Sequence, residues 1–217
     1  MTKNKIEHQI RYWEEERKRR SPEHPVIEAF VLPKIKYISD YEDLSGMSIL
    51  DVGCGNGYFT YYFSKLAYTV GIDYSRYMLS INPCDLLIQG SALALPFKTD
   101  SFNLVFCSNL LHHVKGPEAV VVEMKRVSKK YVVLSEPNRN NPLMALFSVL
   151  VREERGQLKF SLQYLKKLAI SSGLNIVDAC SLGSIVPNKT PLSLLEIFKK
   201  IDKKSVLGFY SIVLACK

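Results

Sequence analysis

Hydrophobic positions change their spacing several times along the chain, and each change marks an element. From Ile6 to Arg20, Ile6, Ile10 and Trp13 recur at intervals of four and three with charges between them, an amphipathic-helix pattern that stops at Ser21-Pro22. Val26, Phe30, Pro33 and Tyr37 carry helical spacing from Val26 to Tyr37, and the polar stretch Ser39 to Ser45 closes it. Short apolar runs follow at Met47 to Val52, Tyr68 to Ile72, Asp85 to Gln89, Phe102 to Cys107, Tyr131 to Ser135, Leu174 to Cys180 and Phe209 to Cys216. Helix-like segments separate them at Tyr58 to Leu66, Glu118 to Val127 and Ser161 to Ser172. Strands alternating with helices predict βαβ units, a parallel sheet and a doubly wound α/β fold. The apolar stretch Leu143 to Val151 reads as a core helix or as the wall of an apolar pocket. At about 1.5 Å per residue it reaches less than half of a ~30 Å bilayer core, so no membrane-spanning helix is expected.

In such a sheet, ligands bind beyond the carboxyl ends of the strands, where the strand order reverses. The first strand runs into Asp51-Val-Gly53-Cys54-Gly55-Asn-Gly57. Glycines at alternate positions let the backbone turn sharply and approach a ligand, and the helix after them offers free N–H groups at its start. A dinucleotide fingerprint would need glycine at position 58, where Tyr58 stands, so a nicotinamide-dependent oxidoreductase is not expected.

These residues, with four further segments, resemble the class I S-adenosylmethionine-dependent methyltransferases, in particular the ubiquinone-biosynthesis-like or type 11 group. The segments are Gly71-Ile-Asp73-Tyr74-Ser75, Gly90-Ser91-Ala92-Leu-Ala-Leu-Pro-Phe97, Ser101-Phe-Asn-Leu-Val-Phe-Cys107 and Leu111-His112-His113-Val114. The likeness runs from Ile49 to about Glu136 and, more loosely, from Ser161 to Gly173. It implies a Rossmann-like seven-stranded sheet, mostly parallel with the last strand antiparallel. Residues 1–40 are expected to form an N-terminal helical lid, and residues 41–217 the S-adenosylmethionine-binding domain.

The resemblance also implies roles. Gly53, Cys54 and Gly55 would hold the methionine part of the cofactor through backbone groups, with Asp51 placing negative charge near its ammonium and sulfonium. Asp73 has two acceptor oxygens suited to the ribose diol, a helix N-cap being its competing role. Tyr74 would pack on the adenine, with Ser91 and Ala92 at its edge. Serine is a departure there, since the family commonly has aspartate. Asn109 and Leu110 would face the transferring methyl. Asn103, where the family has aspartate, also reads as a strand-entry residue. One of His112 and His113 could serve as a base, but a packed, hydrogen-bonded helix residue is the expected reading, so no catalytic base is assigned.

Substrate contacts are expected from variable segments. Tyr12 and Trp13 of the N-terminal helix would close over the cofactor, His113 would reach the acceptor, and Asn138 and Arg139 in Glu136-Pro-Asn-Arg-Asn-Asn-Pro142 would hold a polar or anionic group. A polar loop that satisfies its own backbone is the other reading of that segment. Pro187-Asn-Lys-Thr-Pro191 inserts between the last two strands.

Composition narrows the class further. With 47% hydrophobic residues and 23% charged, the chain buries a real core. Five cysteines without a C-x-x-C pair fit neither a disulfide framework nor a zinc site, so they are expected reduced and no metal is expected. The first twenty residues lack the apolar segment of a secretory signal, which points to the cytoplasm. The formal net charge of +8 divides into +1 over residues 1–30, 0 over 31–154 and +7 over 155–217. A basic C-terminal third would serve nucleic acid or an anionic membrane surface, or be a solvated lysine-rich face. The leading expectation is transfer of a methyl group to a small aromatic, quinone-like or lipid-linked acceptor. An RNA or protein methyltransferase and a non-catalytic S-adenosylmethionine-binding partner protein are the alternatives, and the oligomeric state is left open.

Overall fold

The computed structural model describes residues 19–217. Tyr12 and Trp13, and with them the first part of the expected lid, lie outside the described residues. In chain order the elements are α1 (Pro25–Ser39), β1 (Ser48–Val52), α2 (Tyr58–Phe63), β2 (Tyr68–Asp73), α3 (Arg76–Ser80), β3 (Leu87–Gln89) and β4 (Phe102–Ser108). They continue with α4 (Pro117–Val127), β5 (Ser128–Pro137), α5 (Pro142–Leu150), α6 (Leu162–Ser171), β6 (Asn175–Leu182), α7 (Leu195–Ile201) and β7 (Tyr210–Cys216). Short 3-10 turns occupy Leu111–His113, Arg152–Lys159 and Leu192–Leu194.

One seven-stranded sheet has the order β3-β2-β1-β4-β5-β7-β6. Strands β1 to β5 pair in parallel, and β7 runs antiparallel to both β5 and β6. This is the expected seven-stranded arrangement with its antiparallel last strand. The order reverses between β1 and β4, so the loops leaving those two strands splay apart and open a crevice.

Alternation along the central strands feeds two cores. Ile49, Leu104, Phe106 and Ile212 face a layer containing α1 and α2, where Phe106 packs against Phe59 and Phe63 at 4.6 and 5.1 Å between ring centroids. Leu50, Val52, Val105, Cys107 and Val213 face the opposite layer, with Val120 and Met124 of α4 and Leu165 and Leu168 of α6. Helix α1 starts on Pro25 with the His24 ring accepting from Val26 N–H, a favourable first turn because proline's missing donor would have had no partner there. It is buried along nearly its whole length, from Val26 to Ile38. The second half of the segment expected to be a lid is therefore a core helix. Asn103 accepts from the Ser48 N–H and hydroxyl at 2.9 and 2.8 Å, locking the entries of β1 and β4 together.

The loop after β5 has a structural job. Asn138 is fully buried and donates to the carbonyls of Val206 and Gly208 at 3.1 and 2.9 Å, while its own oxygen accepts from Asn140 N–H. Asn141 caps α5, accepting from Leu143 and Met144 N–H, and donates to the Leu207 carbonyl. These two amides moor the 203–208 connection to the start of α5. Replacing Asn138 with alanine leaves buried carbonyls without donors, and a loss of about 2–3 kcal/mol of stability is expected by urea denaturation. Arg139→Ala should change the midpoint little, because that side chain is exposed and makes one hydrogen bond to Leu158.

Candidate functional site

Three strand ends define the site. The loop after β1 uses Gly53, Gly55 and Gly57 at φ of 74°, 51° and 91°, a region that suits glycine. A Cβ on Gly53 would lie 2.9 Å from the Leu110 side chain. The Gly53 and Cys54 N–H groups donate to the Ile72 carbonyl at 2.8 and 3.1 Å, and Gly55 N–H donates to Asp73 at 2.9 Å. Asp73, at the end of β2, takes a second bond from Ser75 N–H at 2.8 Å through its other oxygen. Ser75, not Asp73, is the N-cap of α3. Both carboxylate oxygens are thus aimed by backbone donors, and each keeps a lone pair. Burial raises the Asp73 pKa against those hydrogen bonds.

Asp51 lies beneath the loop, buried, with one oxygen 2.7 Å from the Thr60 hydroxyl. Burial pushes its carboxyl up to about 7 against that hydrogen bond, and the charge of Asp73 adds to the rise. A cation arriving beside it would restore the carboxylate form. The Cys54 thiol sits against Gly71 and Asn82, so this residue meets the crevice through its backbone.

The end of β4 supplies the third wall. Asn109 has φ of 54°, in the left-handed region that asparagine tolerates best among residues with a Cβ. Its N–H bonds to the Ser135 carbonyl, but its buried side-chain oxygen has no hydrogen-bond partner among the described residues; neither has the Ser108 hydroxyl beside it. Buried polar atoms are nearly always satisfied, so two orphans at a cavity wall mark where a polar ligand completes the site.

All three ends open into one cavity of about 580 Å³. Asp51, Gly53, Cys54, Gly55, Asp73, Tyr74, Ser91, Ala92, Asn109 and Leu110 all line it, so the structure brings the ten expected cofactor residues together. Tyr74 is 57% exposed, leaving its ring face free to cover a flat group. The Ser91 hydroxyl already accepts from Leu93 N–H at 3.2 Å, which fixes its direction.

The rest of the cavity is different. Phe30, Met144, Phe147, Tyr210, Pro137 and Val186 give it an apolar wall, and His112, His113, Glu154 and Gln157 a polar end. Asn138 and Arg139 are not part of the lining: the Asn138 amide does the mooring described above, and the exposed Arg139 donates to the Leu158 carbonyl. Glu136, fully buried at the end of β5, accepts from Leu110 and Leu111 N–H at 2.9 and 2.7 Å and pairs with His112 Nδ1 at 2.5 Å. His112 Nε2 lies 3.2 Å from Glu154, which also accepts from Gln157. Burial alone would lower the His112 pKa, but the two carboxylates outweigh it and lift it to about 9. His113, with its ring centroid 3.8 Å from that of His112, is pushed down to about 3 by burial and by its charged neighbour. His112 is packed and hydrogen-bonded between the two glutamates, and His113, beside it in the lining, is held neutral. Glu136, Glu154 and Gln157 escape sequence reasoning, although a glutamate ending an otherwise apolar strand is a signal that could have been followed.

The raised His112 pKa has a definite sign. A histidine whose folded pKa exceeds its ordinary 6.5 stabilises the fold fully below that value and loses the contribution as pH rises through about 9. The stability advantage of wild type over His112→Gln should shrink by on the order of 2–3 kcal/mol from pH 6.5 to 9.5 in urea titrations. An advantage that grows over that window would contradict a charged His112.

Comparison with known proteins supplies independent findings. Residues 50–134 match the type 11 methyltransferase domain family. The demethylmenaquinone methyltransferase of Lactococcus lactis is 35% identical over 100 residues, covering 40% of this chain and 40% of that protein. The ubiquinone biosynthesis O-methyltransferase of Hahella chejuensis is 31% identical over 132 residues, covering 55% of each. The chain spans about half the length of the curated relatives it matches. Among solved structures, an S-adenosylmethionine-dependent methyltransferase from Thermotoga maritima superposes with a TM-score of 0.69 at 18% identity, over 88% of this chain and 91% of that one. The magnesium protoporphyrin IX methyltransferase of Synechocystis, solved with bound S-adenosylhomocysteine, gives 0.62 at 14% identity, over 98% and 87%. The fold is that of these solved methyltransferases, and residues 50–134 match the methyltransferase domain model.

Proposed function

We propose that the chain is an S-adenosylmethionine-dependent methyltransferase acting on a small, largely apolar acceptor with a hydroxylated head, of the quinone-precursor type. One observation carries the reading: a glycine loop, a doubly anchored Asp73 and the unpartnered Asn109 oxygen share a cavity whose other half is apolar with a polar end. The first half fits the cofactor. Asp73 offers its two free lone pairs to a vicinal diol, Tyr74 covers a planar base, and Asp51 faces positive charge.

Bound S-adenosylmethionine supplies a methyl group already activated on a sulfonium, which leaves the protein mainly to hold the nucleophile about 3 Å from it and in line. Met144, Phe147 and Tyr210 would grip a ring or a short tail, and His113 and Gln157 would orient its hydroxyl. The relatives named for demethylmenaquinone and ubiquinone biosynthesis act in the same chemical territory. An apolar acceptor wall favours a small molecule over RNA or a protein side chain. The free, buried Cys54 and Cys107 suit a reducing, cytoplasmic setting.

Calorimetry with S-adenosylmethionine tests the reading. Asp73→Ala should weaken binding about 10- to 100-fold, the value of charged hydrogen bonds lost to the diol. Affinity should rise with pH through about 7 and be accompanied by proton release there, because the cation favours the ionised Asp51. Tight NAD binding, or S-adenosylmethionine binding indifferent to Asp73, would overturn it. With binding established, tritium transfer to a panel of catechols and hydroquinones identifies the acceptor.

A further inference from the structure

Helix α5 has its polarity inverted. It carries no charged residue, and its one polar side chain, Ser148, is buried and bonded to the Met144 carbonyl and to Gln157 at 2.7 and 3.0 Å. Leu143, Leu146, Val149 and Leu150 instead stand between 52% and 74% exposed. Leu143, Leu146 and Leu150 follow helical spacing and form one outward row, with Val149 beside it. A surface helix ordinarily turns its polar side outward. Here the inner side, through Met144 and Phe147, lines the acceptor half of the cavity, and the outer side is equally apolar.

The patch extends beyond the helix. Asn138 and Asn141 tie the Val206 and Leu207 carbonyls to the foot of α5, and those two side chains are 82% and 52% exposed. Basic residues flank it on both sides: Arg139 before α5, Arg152 and Arg155 after it, and Lys199, Lys200, Lys203 and Lys204 ahead of Val206. Among the described residues, Arg152, Arg155, Lys200 and Lys203 form no ion pair. The occupant of this face must therefore be anionic and apolar at once. A nucleic acid would match the cations and leave the leucines wet. A convex row of flexible aliphatic side chains rimmed by cations is complementary to phosphates lying over acyl chains.

We propose that this face docks on anionic phospholipid bilayers. Helix α5 lies along the interface, since neither it nor any other described helix is long and apolar enough to cross a membrane. Its leucines sink to the acyl boundary and the surrounding Lys and Arg side chains meet the phosphates. An acceptor dissolved in the bilayer then reaches the cavity past Met144 and Phe147. The docking face stands on its own; only this access route rests on the methyl-transfer reading.

Co-sedimentation of the full chain with vesicles tests the proposal. Vesicles of phosphatidylglycerol mixed equally with phosphatidylcholine should pellet the protein, pure phosphatidylcholine should retain several-fold less, and high salt should release most of it. Leu146→Ser/Leu150→Ser, whose side chains are outside the cavity, should lose binding at least five-fold with its melting temperature and S-adenosylmethionine affinity unchanged. A Lys200→Glu/Lys203→Glu variant should lose the preference for the anionic lipid. Wild type that stays in the supernatant with both vesicle types overturns the proposal, as does an L146S/L150S variant that binds like wild type. So does a concentration-dependent dimer abolished by L146S/L150S without vesicle binding, or retention by mixed-sequence RNA alone. Vesicle binding without S-adenosylmethionine binding would leave docking intact and remove the methyl-transfer reading.

Discussion

A carboxylate buried at the end of a central strand must be compensated, and the way Glu136 is compensated organises half of the molecule. Its two oxygens collect the N–H groups of Leu110 and Leu111 and one nitrogen of His112, which bends the chain leaving β4 into a tight turn. That turn sets Asn109 in its left-handed conformation and presents its side chain to the cavity. From His112 the chain of polar contacts continues to Glu154, then Gln157, then Ser148 of α5. An unpaired buried ion is strongly unfavourable, so these groups stand or fall together. The sheet and the helix that forms the apolar wall of the cavity are joined through charge, with hydrophobic packing around them.

The two ends of the cavity solve opposite electrostatic problems. Near the glycine loop, Asp51 is buried beside Asp73, and burial raises both carboxyls against their hydrogen bonds and, at Asp73, against the charge of Arg19. Around Glu136 and Glu154 the imidazolium of His112 supplies the counter-charge internally. A site of the first kind is disposed to welcome positive charge from outside. One of the second kind is already settled and leaves His113 neutral beside it.

What was legible in the sequence follows from how local the information is. The glycine loop, Asp73 and the strand–helix alternation are written in short stretches, and the ten residues expected from them and from the family resemblance to hold a cofactor all line one cavity. Asn138 and Arg139 looked like ligand-binding groups because their loop follows a strand end, yet Asn138 is bound to carbonyls near position 207, about seventy residues away in sequence and adjacent only in the fold. Glu154 sits in Arg-Glu-Glu-Arg, a run that reads as solvated surface until His112 is placed beside it. The apolar run at Leu143 to Val151 offered a core helix or a pocket wall. The structure makes it a pocket wall on one side and an exposed face on the other, a division that composition alone does not encode.

The interior position of β7 has a consequence for how the chain is made. The seventh strand in chain order fills the slot between β5 and β6, so β6 touches the sheet only through a partner synthesised after it. During translation β1 to β5 and their helices can assemble in order of appearance. Strand β6, with the Gly183–Gly208 region and its moorings at Asn138 and Asn141, waits for Tyr210–Cys216 to emerge. The cavity wall formed by Val186 and Tyr210 is therefore closed last, and a nascent chain stalled before position 210 holds a glycine loop beside an open, unfinished cavity.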